Sequence, residues 1–244
     1  MTAVNRPAQP VGELLGDWTV PPHPARQQLP GRFARLEPLR PELHAASLYA
    51  ANSRDAEGRN WTYLPYGPFD RLDAYLAWME SYCAGHDPMF YAIVEQNSGL
   101  ALGVASYLRI TPASGCIEVG HIHFSPPLQR TPAASEAVIL LMKHAFELGY
   151  RRFEWKCDAL NAPSRTAAQR LGFSFEGIFR QAAVVKGRNR DTAWFAVIDR
   201  DWPALAAVFA RWLDPDNFDP AGQQRLALSS LTAQIRSRQG EAGG

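Results

Sequence analysis

Glu118, His121 and His123 cluster around Gly120 in the run Ile117-Glu-Val-Gly-His-Ile-His-Phe124. A carboxylate or a neutral imidazole can accept a proton from a nucleophile, and histidine titrates near neutrality. Strict alternation would put Glu118 with Gly120, Ile122 and Phe124 on one strand face and both histidines on the other. Each has a plainer use as well: Glu118 as the partner of an arginine, the histidines as satisfied core or surface groups. A glycine inside a strand pattern signals a bulge or a close backbone approach. Just downstream, Ser125-Pro-Pro-Leu-Gln-Arg-Thr131 leads into a helix at Pro132. Such a loop offers free N–H groups at the positive end of the helix dipole, which suit a pyrophosphate. Ala133 and Ala134 are small enough to let phosphate approach, and Arg130 adds charge. Thr131-Pro132 also starts a helix well simply as N-cap and first residue. A second short motif, Asn161-Ala-Pro-Ser164, opens another helix, with Ser164 either a cap or a hydroxyl free for chemistry.

These residues need a scaffold, and the periodicity supplies one. Strands are predicted over 33–37, 89–95, 102–110, 117–124, 152–157, 173–185 and 190–198, with Asn97-Ser98-Gly99 as a hairpin signal. Helices are predicted after Pro41 to Asn52, from an Asp70 cap to about Cys83, from Pro132 to Gly149, over 162–171, and from Asp201 to about Leu213. In the helix after Pro132, Ala134, Ala137, Val138, Leu141, Ala145 and Leu148 form an apolar stripe, with Glu136, Lys143 and Glu147 as a polar one. The order is that of a mixed α/β domain over 31–213. Residues 1–30, rich in proline, read as an extended arm that can pack through Trp18. After a break at Asp214 to Pro220, residues 214–244 form an extension, helical over 223–237 and loose from Gln239.

Composition narrows the function classes. Of the 244 residues, 46% are hydrophobic and 20% charged, an ordinary globular mix that excludes global disorder. Lys plus Arg number 25 against 24 acids, for a net charge of +1, so the basic excess of a nucleic-acid binder is missing. No apolar run approaches the ~18 residues of a membrane span. Val11 to Val20 carries Glu13 and Asp17, unlike a secretory signal. Three scattered cysteines lack metal-ligand spacing and suit a reducing cytoplasm. The expectation is a cytoplasmic protein without nucleic acid, membrane or metal partners, of open oligomeric state.

Read together, Glu118-Val-Gly120, the run Gln129…Ala134-Ser-Glu-Ala137, Asn161-x-x-Ser164 and Leu171-Gly-Phe173 with Glu176-Gly177 resemble the GNAT superfamily of acyl-CoA N-acyltransferases, especially its ribosomal-protein (Rim-like) branch. The resemblance covers about 31–200. It implies a single domain with a central mixed, mostly antiparallel sheet flanked by helices. It further implies transfer of an acetyl or other acyl group from acyl-CoA to an amine, on a small molecule or on a protein or peptide N-terminus. Phe124, Ser125, Gln129, Arg130, Thr131, Ala133, Ala134 and Asn161 would hold the coenzyme, Ser164 would protonate the thiolate, and Glu118 would be the base. The chain departs from the branch twice: Pro132 stands where glycine is usual, and Ala183 where a glutamate often serves as base. Those departures favour the rival reading, a CoA-binding sensor without catalysis. Cys116 and Cys157 have no evident activating partner, which points to direct attack in a ternary complex. Trp61, Tyr63, Tyr66 and Phe69 either wall the acceptor pocket or cover the core. Lys186-Gly-Arg-Asn-Arg190 reads as a solvated hairpin turn, and Asp191 as a turn residue.

Overall fold

The computed structural model describes residues 9–242. Residues 89–95 show how the sheet divides the interior. Met89, Tyr91 and Ile93 enter one apolar cluster, while Phe90, Ala92 and Val94 enter another on the opposite face. A strand with period two, buried on both sides, must be apolar throughout. This is β3 (Met89–Glu95), and it lies inside an eight-stranded sheet. The others are β1 (Leu29–Pro30), β2 (Ala34–Pro38), β4 (Ala101–Thr111), β5 (Cys116–Phe124), β6 (Arg152–Asp158), β7 (Ser174–Val185) and β8 (Arg188–Ile198). Their order is β1-β2-β3-β4-β5-β6-β8-β7, antiparallel except for the parallel pair β5–β6. The mixed, mostly antiparallel α/β fold expected from the sequence is therefore present.

One face carries α1 (Pro41–Asn52) and α2 (Leu72–Tyr82), whose Leu48, Tyr75 and Met79 pack with Phe90 and Val104. The other carries α3 (Pro132–Glu147), α4 (Ala162–Arg170), α5 (Trp202–Leu213) and α6 (Leu228–Ala242). Along α3 the predicted apolar stripe is buried from Ala134 to Ala145, with Leu148 half-buried just past the helix end, and Lys143 and Glu147 are exposed at i,i+4 spacing. Glu136 departs from its expected polar stripe. It is 2% exposed, and its carboxylate accepts from the N–H groups of Arg32, Phe33 and Ala34 at 2.7, 2.6 and 2.8 Å. Those donors run from the turn between β1 and β2 to the first residue of β2, so a charged side chain serves as the missing hydrogen-bond partner of a tight corner.

Several boundaries move. The proline-rich arm ends in β1, an edge strand on which Pro30 is tolerated. Trp18 Nε1 donates to the Gly149 carbonyl at 3.3 Å, seating the arm on the body. Asp70 is not the cap of α2: the helix begins at Leu72 behind Arg71, and Asp73 occupies its first turn. The C-terminal helix starts at Leu228, because Phe218 and Gln224 first form a β-bridge, and it continues through the stretch from Gln239 to Ala242 that the sequence reads as loose. Pro7 and residues 243–244 lie outside the described residues.

Candidate active site

Strands β5 and β6 pair only from Cys116↔Arg152 to Val119↔Trp155 and then diverge. The divergence begins at a bulge. Ser106 pairs with Gly120 and Val104 with His123, so β5 carries one extra residue, and His121 sits at φ 49°. A bulge re-aims every side chain beyond it. The alternation expected from the sequence is thereby inverted: Glu118, Gly120 and His123 share the α1–α2 face, while Ile122 and Phe124 pack into the opposite core. His121 joins the α1–α2 face too, against Phe90, Tyr66 and Tyr82.

The stretch following β5 forms one wall. Thr131 caps α3, its Oγ1 accepting from Ala134 N (3.2 Å) and donating to the Leu128 carbonyl (2.7 Å). Pro132 occupies the first helical turn, where its missing N–H costs nothing to the helix. Arg130 is exposed at φ 61°. The side chains of Ala133 and Ala134 are buried, so only their backbone can face a ligand. Gln129 Nε2 donates to the Phe124 carbonyl and to Asn60 Oδ1, both at 2.9 Å, tying the loop to β5. Ser125, expected to meet the coenzyme, instead directs both its hydroxyl and its N–H to the Leu102 carbonyl. At Gly103, an added Cβ would meet Leu128 at 2.6 Å, so glycine there lets the loop close on β4.

Across the gap, Asn161 caps α4 by accepting from Ser164 N at 3.2 Å. Asn161 is therefore the cap, and the hydroxyl of Ser164 is not. That hydroxyl accepts from Trp155 Nε1 at 3.0 Å and lies beside the Cys157 thiol, whose pKa burial raises against the opposing effect of Ser164. Because Trp155 N–H can only donate, it occupies a lone pair of the serine oxygen and leaves the O–H proton available.

The third wall is assembled from distant segments. Trp61 stacks on His123 with centroids 3.8 Å apart, and the hairpin tip reaches over to it, Lys186 Nζ donating to the Trp61 carbonyl at 2.9 Å. Tyr63 OH donates to the Leu160 carbonyl at 3.2 Å, closing the loop of residues 61–69 against the β6–α4 turn. Tyr66 OH and His121 Nδ1 share a hydrogen bond of 3.1 Å. Burial, with the charges of Arg109 and Arg190, pulls His121 down to about 4, and burial pulls His123 to about 4. Burial pushes Tyr66 well above the usual phenol value, so it keeps its proton.

Glu118, 2% exposed, accepts from Arg109 Nε and Nη2 at 2.7 and 2.8 Å and from Lys156 Nζ at 2.9 Å. Lys156 also reaches Glu154 (2.8 Å) and stands 3.6 Å over the Trp194 ring. The carboxylate thus has the arginine partner that was the plainer of its two readings. Sequence reasoning passed over Lys156, Trp155 and Trp194. The charges at 152, 154 and 156 do repeat with the strand period, which is the signature of a charged stripe facing a neighbouring strand. Among the described residues, no three His, Cys, Asp or Glu side chains are grouped to hold a metal, and no helix is long and apolar enough to cross a membrane.

Residues 34–174 match the family model for the acetyltransferase (GNAT) domain. The chain belongs to the GNAT acetyltransferase family. A solved GCN5-related N-acetyltransferase from Brucella melitensis is 46% identical, with a TM-score of 0.87 over 90% of this chain and 100% of that one. The ribosomal-protein-serine acetyltransferase of Escherichia coli (strain K12) is 31% identical over 47% of this chain and 62% of its own length. An uncharacterized N-acetyltransferase p20 from Bacillus licheniformis is 27% identical over 46% of this chain and 63% of its own. This GNAT chain thus spans under two thirds of the length of both curated relatives.

Proposed function

We propose that this protein is a cytoplasmic N-acetyltransferase that moves an acetyl group from acetyl-CoA to an amine by direct attack. The observation that carries this reading is the divergence of β5 and β6 beside a capped helix N-terminus. The divergence leaves an edge of β5 free to bind an extended ligand arm, and the Gln129–Ala134 turn is suited to a diphosphate. The coenzyme supplies an activated acyl carbon. Arg130 and the Ala133 N–H in the first turn of α3 hold the diphosphate end, since Thr131 and Ala134 N–H are engaged and Pro132 has none, and N–H groups of the bulged strand orient the acyl group and favour charge on its oxygen. Similarity to the ribosomal-protein-serine enzyme supports an amine on a protein as acceptor.

Two proton movements complete the reaction. As the amine nitrogen bonds to the acyl carbon and the C–S bond breaks, Ser164 Oγ–H passes its proton to the departing sulfur and regains one from solvent, to which the base returns the amine's proton, with Trp155 fixing the serine oxygen. The amine's proton goes to His121 in the tautomer whose Nδ1–H donates to Tyr66, leaving Nε2 free to accept. This histidine is neutral at physiological pH because burial keeps it so. Glu118 is the other proposed base; both its oxygens are engaged, by Arg109 and Lys156.

Release of CoA thiol, followed over pH with peptide amines, tests both assignments. His121→Gln is expected to lose about 10²–10⁴-fold in turnover with acetyl-CoA affinity retained. Ser164→Ala should lower kcat more than it raises KM for acetyl-CoA. Glu118→Gln should melt earlier but keep the acid limb of the pH profile. Loss of that limb in Glu118→Gln, with His121→Gln fully active, would give the base role to Glu118.

A further inference from the structure

Alternation along β8 places Arg190, Thr192 and Trp194 on one face. The register Lys156↔Trp194 makes it the face of the Lys156–Glu118 ion pair. Phe179 stacks on Trp194 with centroids 4.4 Å apart, and Lys156 covers its ring, so the indole is fixed in orientation. Yet Trp194 Nε1 and Arg190 Nε are buried with no hydrogen-bond acceptor among the described residues. A buried donor without an acceptor is costly, and folded proteins rarely leave two so close in sequence unmatched.

Nearby carboxylates are already engaged. Glu118 takes Arg109 and Lys156, Glu154 takes Arg152 and Lys156, and Asp191 accepts from Gln181 N and Asn189 Nδ2. Arg190 stands on β8 two residues past Asp158↔Thr192, the last pair with β6, on the hairpin whose Lys186 reaches Trp61, which places it beside the gap between β5 and β6. Arg109, Lys156, Lys186 and Arg190 all border this wall, an unfavourable setting for a polycation.

We propose that Arg190 and Trp194 recognise an oxygen of the acceptor substrate, a carbonyl or carboxylate on the carbon next to the reacting amine. The acceptor class is then an α-amine, as in an amino acid or a peptide N-terminus, and not an alkylamine or polyamine. The inference rests on the acetyl-transfer reading, which supplies the amine. Guanidinium suits it because its planar fork meets carbonyl and carboxylate oxygens in fixed directions, which an ammonium does not. The indole contributes one further donor.

The probes are L-alaninamide and isopropylamine, which differ by a carboxamide in place of a methyl. With acetyl-CoA, the wild-type protein should show kcat/KM at least tenfold higher for alaninamide. Arg190→Gln should bring alaninamide down to the isopropylamine level, mainly through KM, and Arg190→Lys should recover only part of the difference. Trp194→Phe should do the same more weakly. Equal losses on both amines in a folded Arg190→Gln would overturn the proposal, as would no loss. If neither amine is acetylated, quenching of tryptophan fluorescence in the presence of CoA decides. A preference for alaninamide that vanishes in Arg190→Gln upholds the recognition site while the transfer reading fails. Equal binding of the two amines overturns the recognition site.

Discussion

On the side proposed to hold the coenzyme, the cleft is one continuous piece of chain, from the bulge at His121 through Thr131 to the first turn of α3. Most of its partners are local, Gln129 to Phe124 and Thr131 to Leu128 and Ala134, with Gln129 to Asn60 and Ser125 to Leu102 as the longer ties. On the side proposed to face the acceptor, side chains far apart in sequence converge, with Lys186 on Trp61, Tyr63 on Leu160 and Tyr66 on His121. A wall made of one segment can be kept by a short motif. A wall made of long-range contacts can change its acceptor by changing any contributor, while the coenzyme wall stays as it is.

The largest expected effect breaks the frame on which the first wall stands. Glu136 on α3 supplies the acceptor for three N–H groups of the β1–β2 corner. Glu136→Ala leaves the buried Ala34 N–H and the part-buried N–H groups of Arg32 and Phe33 unpaired; at about 1–3 kcal/mol for the buried donor and less for each of the others, a loss of roughly 2–5 kcal/mol is expected in urea denaturation. A loss under about 1 kcal/mol would show that water replaces the carboxylate and that the corner does not depend on α3.

The same contrast explains what could be read from the sequence. Period-two and helical patterns located every long strand and helix, because each buries a face whose spacing is visible locally. The bulge at Gly120 was legible, since an in-strand glycine has few other uses. Its consequence was not, because one inserted residue inverts the faces of Glu118 and the histidines. Glu136 was misassigned because helical spacing records where a side chain points and not whether unpaired N–H groups wait there. Asn161 and Ser164 stood in a recognisable motif, but their division of labour depends on Trp155, an indole on another element. Lys186 and Arg190 read as a solvated turn because nothing local shows that the hairpin tip lies over Trp61.

A smaller effect sharpens the acceptor side. His121 and His123 are held neutral by burial, both near 4, against about 6.5 when unfolded. Their folded pKa values are depressed, so the unfolded chain binds more protons as pH falls below 6.5 and stability declines in step. At pH 5 the expected loss is about 2 kcal/mol per histidine, and it levels off once pH falls through about 4. Thermal melts across pH 4–7.5 should therefore slope, and His123→Gln should remove about half of that slope. An unchanged slope would mean that Trp61 stacks on a histidine already exposed to water.

The smallest effect tests the coenzyme wall directly. Arg130 is exposed on the turn before α3, already in a left-handed conformation that another non-glycine residue would share. Replacement at this position therefore changes charge with little change in backbone strain, unlike replacement at the buried Ala134. If the CoA diphosphate lies over this turn, Arg130→Glu exchanges an attraction for a repulsion beside the helix N-terminus, and affinity should fall about tenfold at low salt. Because the site faces water, the loss should shrink toward nothing in 1 M salt, where the Debye length is about 3 Å. A tenfold loss that persists in high salt would instead indicate a distorted loop. An unchanged dissociation constant at low salt would move the diphosphate away from α3, and the coenzyme side would no longer be the wall made of one segment.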